Sequence, residues 1–158
     1  MPAVGRWVLL AYRLPREPSA PRLSVWRKLK RLGAAQLLDG LIALPLDSRN
    51  REQLEWLADE VLEAGGEASI WLAEPASGAQ ERELALGLAQ AIGDQYREVI
   101  SAARAAVAEG GGRHRRTLAR LRRELDRIRR RDYFPPPERE EAERAVEALA
   151  EALEEAAA

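Results

Sequence analysis

The sequence contains no cysteine, one histidine (His114), one methionine and one phenylalanine, and aromatic residues make up only 5% of it. Without cysteine there is no disulfide, no thiolate metal site and no sulfur nucleophile. A lone histidine excludes multi-histidine metal centres. The missing cysteine also fits a reducing compartment. No apolar run approaches the length of a membrane span, and Trp7 to Ala11 is too short for the apolar core of a signal peptide. The expected location is therefore cytoplasmic, with no membrane partner. Net charge is lacking too: it is -1 over 158 residues. Taken whole, that balance argues against a polyanionic partner.

The balance hides segregation, because 32% of the residues are charged. Residues 1–31 sum to +7, residues 47–74 to -6, residues 113–131 to +8 and residues 138–158 to -6. The chain is an alternation of basic and acidic blocks.

Hydrophobic patterning predicts an α+β protein. Residues 6–12 form an almost continuous apolar run, as in a strand buried on both faces. Three prolines (Pro15, Pro18, Pro21) make the next segment a loop, and Ser19 or Ser24 is the expected cap of a helix over 22–32 that stops at Gly33. The apolar runs 34–38 and 41–46 flank Asp39-Gly40, a strong hairpin signal. Residues 50–64 read as a helix with Leu54, Leu57, Val61 and Leu62 inward, and 67–74 as a strand. The order β-α-β-β-α-β is that of a ferredoxin-like domain, expected over residues 1–78. Residues 79–158 read as a helical extension: a long helix over 79–108, a break at Gly110-Gly111-Gly112, and an antiparallel αα-hairpin over 113–156 turning at Pro135-Pro136-Pro137. Trp7, Trp26, Trp56 and Trp71 fall in these elements and are expected in or beside the core.

Several blocks together carry a resemblance. They are YRLPREPSAPR after the first strand, VWRKLKRLGA, DGLIALP, REQLEWLADEVLEAGGEASIW, LRRELDRIRRRDYF and EREEAERAVEAL. They resemble the N-terminal domain of the ChrB chromate-resistance family over nearly the whole chain. The region is also similar to the Cas2-like ferredoxin fold found in PaaX-type regulators. The resemblance implies a chromate-responsive transcriptional regulator linked to chromate efflux. It also implies a second, C-terminal domain; a separately encoded copy of that domain and a homodimer are the two candidate partner chains.

Two basic segments are candidate anion- or DNA-binding sites. In the first, Arg13, Arg16 and Arg22 surround the proline loop, and Arg27, Lys28 and Arg31 follow on the helix. Guanidinium forks suit a tetrahedral dianion such as chromate and suit DNA phosphates equally. In the second, Arg115, Arg122 and Arg129 recur every seven residues on an arginine-rich helix, as a phosphate-tracking face would. The competing expectation is neutralisation of each basic block by its acidic neighbour, which leaves an accessory interaction or homodimerisation module without DNA binding. No catalytic or metal-binding set is expected, and no cofactor. The first strand ends Ala11-Tyr12-Arg13, without the carboxylate that a Cas2-like metal site needs. His114 stands among arginines, a poor place for a general base, and no phosphate-binding loop is present.

Overall fold

The Trp7–Arg13 strand (β1) is interior because its side chains are apolar on both faces: Trp7, Val8 and Leu10 are at most 2% exposed. A computed structural model describes this strand and its surroundings over residues 5–110 and 114–158. Along the chain follow α1 (Ala20–Leu32), β2 (Ala35–Leu38), β3 (Leu41–Pro45), α2 (Ser48–Glu63), β4 (Glu67–Ala73), α3 (Gly78–Glu109), α4 (Arg115–Arg130) and α5 (Glu138–Ala157). Residues 111–113, where part of the expected glycine break and the start of the expected hairpin fall, lie outside the described residues. Among the described residues no helix is long and apolar enough to cross a membrane.

The chain divides into two units, Met1–Ala91 and Ile92–Ala158, so the boundary falls within α3. In the first unit the strands run in the order β2-β3-β1-β4, and every neighbouring pair is antiparallel. Leu9 stands between Ala43 and Trp71, and Leu10 between Ile42 and Ile70. The central pair β1 and β3 is the most buried because both its edges are paired. On β4, an edge strand, Trp71 and Leu72 are 59% and 51% exposed.

Helix ends differ from expectation in one detail. Ser19 holds the N-cap position of α1 but makes no side-chain cap bond, and Pro21 stands in the first turn, where its missing N–H costs nothing. Ser24 lies inside α1, where its hydroxyl donates to Glu60 of α2 at 2.8 Å. Asp47 caps α2 by accepting from the Asn50 backbone N–H at 2.7 Å. Leu62 is 53% exposed rather than inward, because the helix buries Leu54, Leu57, Ala58 and Val61. Of the four tryptophans only Trp7 is in the core. Trp26, Trp56 and Trp71 are each at least half exposed, since they stand on the outer helix faces or the sheet edge.

The second unit is a three-helix core. Tyr96, Val99 and Ala103 of α3 meet Leu121, Leu125 and Ile128 of α4 and Ala142, Val146 and Leu149 of α5. Tyr96 is completely buried, and its hydroxyl donates to Asp132 Oδ2 at 2.7 Å. Burial and the adjacent carboxylate push the Tyr96 hydroxyl far above its ordinary range. Burial also pushes the Asp132 carboxyl up, against the Tyr96 hydrogen bond and the Arg139 guanidinium at 3.7 Å. Replacing Tyr96 by Phe leaves that buried carboxylate without its donor and is expected to cost about 1–3 kcal/mol in urea unfolding. Because Asp132 binds its proton more tightly when folded, its contribution to stability grows as pH falls through its folded-state pKa. The gain is complete below the ordinary value of 3.8. Asp132→Asn is expected to remove that component; an unchanged pH profile would show that Asp132 does not titrate with folding.

Candidate anion- and nucleic-acid-binding surfaces

In the first basic segment the arginines do not share one fate. Arg13 ends β1 opposite Glu67 of β4, and its Nη2 donates to Glu67 Oε2 at 2.9 Å with both side chains 77% exposed. The sheet register brings these two together, which the linear sequence does not show. Lys28 donates to both Glu60 oxygens at 3.0 Å. Burial raises the Glu60 pKa, but the Lys28 and Ser24 hydrogen bonds outweigh it and hold the carboxyl below its ordinary value. Arg16, Arg22 and Arg27 are exposed and make no ion pair among the described residues. Arg22 sits near enough to Tyr12 to pull its hydroxyl pKa down, while burial and Asp39 push it up more strongly.

Arg31 and Lys28 line a groove of about 600 Å³ between α1 and α2. Its opposite wall carries Asp59, Glu60 and Glu63. Those carboxylates oppose a dianion, so the groove does not suit chromate. Lys30, one turn from Trp26, lies 4.6 Å from the centre of its ring, so that exposed indole is covered by a cation.

The second segment is simpler. Leu121, Leu125 and Ile128 turn α4 toward the core, and the periodicity of 3.6 residues puts the arginines on the outside. Arg115, Arg116, Arg120, Arg122, Arg123 and Arg130 are exposed and make no ion pair among the described residues. Arg127 pairs with Glu124 on its own helix. Arg129 differs from Arg115 and Arg122: it is half-buried and held by Asp126 at 3.2 Å and Glu143 at 3.4 Å.

The glutamates of α5 leave most of the α4 arginines unpaired among the described residues. Glu138 and Glu141 meet Arg97 and Arg104 of α3, at 3.4 and 2.8 Å. Among the described residues, Arg129–Glu143 is the ion pair that joins α4 to α5. Adjacency in sequence suggested broad neutralisation of α4 by α5; instead Arg97 and Arg104 of α3 take two of the first-turn acids of α5. Arg116, Arg120, Arg123 and Arg130 were not distinguished within the basic block by linear reading, although their spacing of four, three and seven places them on one helical stripe. Among the described residues no group of three or more metal-ligating side chains is gathered.

The sequence profile of the family described as Protein ChrB, N-terminal, matches residues 22–110, from α1 to the end of α3. Protein ChrB of Cupriavidus metallidurans (strain CH34) is 31% identical over 136 residues, which cover 82% of this chain and 40% of that protein. The chain thus spans less than half the length of that relative, and α4 and α5 lie beyond the profile match.

Proposed function

This chain belongs to the ChrB family by its N-terminal region, and on that premise we propose that it is a non-catalytic module of a cytoplasmic chromate-resistance regulator that binds DNA through α4. The observation that carries the reading is the outer face of α4, where six exposed arginines stand without an ion-pair partner among the described residues. Such a face suits the regular spacing of phosphates along a duplex and contributes affinity without reading sequence. The strand order and the element order further support a ferredoxin-like fold for the first unit, and the shared core of α4 and α5 supports an antiparallel hairpin. Arg16, Arg22 and Arg27 give the first unit a basic surface of its own. Direct chromate capture at the proline loop is the weaker use of that loop, because Glu67 already occupies Arg13.

Gel-shift titration with the promoter of its own operon tests the reading. Affinity is expected to fall steeply with salt, about a thousandfold between roughly 50 and 200 mM for some six phosphate contacts. No shift at the lower salt, with or without chromate, would leave only the accessory-module reading.

A further inference from the structure

Residues 92–158 carry equal numbers of arginines and carboxylates, yet the two signs separate onto different surfaces. Arg116, Arg120, Arg123 and Arg130 form one exposed stripe on α4. Glu140, Glu147, Glu151 and Glu154 form one exposed stripe on α5. Glu147, Glu151 and Glu154 make no ion pair among the described residues, and Glu140 has only an exposed contact with Arg144 at 3.8 Å. Within one molecule the stripes cannot meet, because Leu121, Leu125 and Ile128 of α4 and Val146 and Leu149 of α5 turn toward their common core.

The two stripes do match each other in length and register when one is reversed. From Arg116 the arginines stand at offsets 0, 4, 7 and 14; from Glu154 backwards the glutamates stand at 0, 3, 7 and 14. Laid antiparallel, Arg130 faces Glu140, Arg123 faces Glu147 and Arg116 faces Glu154, with Arg120 and Glu151 one residue out of step. The match runs over roughly 21 Å of helix. A parallel arrangement also aligns three pairs but leaves Arg120 and Glu151 seven residues out of step. We propose that the α4 stripe of one copy docks antiparallel on the α5 stripe of a second copy. The pairing is electrostatic and exposed, so it is weak and salt-labile. If both stripes are engaged reciprocally the contact closes as a dimer; if not, it grows into larger species.

The self-association does not depend on DNA binding. Competition between a second copy and DNA for α4 does, and that part rests on the proposed function. Sedimentation velocity of the full chain tests the pairing. Association is expected at roughly 50 mM salt and is expected to weaken at least about tenfold by roughly 500 mM. One variant carries Arg116→Glu, Arg120→Glu, Arg123→Glu and Arg130→Glu; the other carries Glu140→Arg, Glu147→Arg, Glu151→Arg and Glu154→Arg. Each alone is expected to stay monomeric, and an equimolar mixture is expected to associate again. Circular dichroism checks folding, and glutamine versions of both sets replace any charge-reversed variant that fails to fold; each glutamine set is then expected to weaken association with wild type. A wild type that is monomeric at low salt, variants that associate as wild type does, or a mixture that stays monomeric would overturn the pairing. In the gel shift, the glutamate-to-arginine variant keeps its α4 arginines and is expected to bind DNA at least as well as wild type. Association without any DNA shift would sink the DNA reading alone.

Discussion

Replacing Arg115, Arg116, Arg120, Arg122, Arg123 and Arg130 together by alanine is expected to abolish the DNA shift at moderate salt. It is also expected to flatten the log-affinity against log-salt slope by about 5, or about one for each arginine that meets a phosphate. The fold should survive. All six side chains are exposed, and alanine is the better helix former. Several of them stand three or four residues apart, so their removal relieves like-charge repulsion of about 0.2–0.5 kcal/mol for each pair. That repulsion is a cost with no return in the folded chain alone, which is the physical reason to look for a polyanion outside it. Arg129→Ala supplies the internal comparison. Its guanidinium is already engaged by Asp126 and Glu143, so the salt slope should hardly change. A slope unchanged by the six-fold replacement would remove α4 from the interface.

Gly40→Ala is expected to destabilise the first unit by roughly 2–4 kcal/mol, as strain and a backbone clash together do. Gly40 closes the β2–β3 hairpin at φ +78°, a conformation that disfavours any side chain. A Cβ there would also press into the Tyr12 backbone carbonyl oxygen. Neither atom can yield easily, because the Tyr12 N–H donates to the Gly40 carbonyl at 2.8 Å. Gly65→Ala separates the two causes. Gly65 has φ +84° with nothing near its missing Cβ, so strain alone applies, about 1–2 kcal/mol. Equal midpoints for the two variants in urea would show that the clash at Tyr12 is relieved at no cost.

Much of the local structure was legible. The apolar run at 6–12, the Asp39-Gly40 turn and the 3.6-residue spacing of Leu121, Leu125 and Ile128 each locate an element found within a residue or two, because hydrophobic period and turn chemistry are local properties. Exposure of tryptophan was not legible. Trp71 follows the strand pattern as Trp7 does, yet one stands on an edge strand and the other in the centre. Strand order is a long-range property that composition within the strand does not encode.

The basic clusters show the same division. The sequence by itself determined that charge is segregated into blocks and that the arginines of α4 occupy the side opposite its leucines, since both follow from residue order and helical period. Which arginines remain unpaired was decided only by tertiary structure. Register across the sheet delivered Glu67 to Arg13, packing of α2 on α1 delivered Glu60 to Lys28, and α3 drew Glu138 and Glu141 away from α4. Ion pairing acts over a few ångströms in space, and the distance between two side chains is set by how the elements pack rather than by how far apart they stand along the chain.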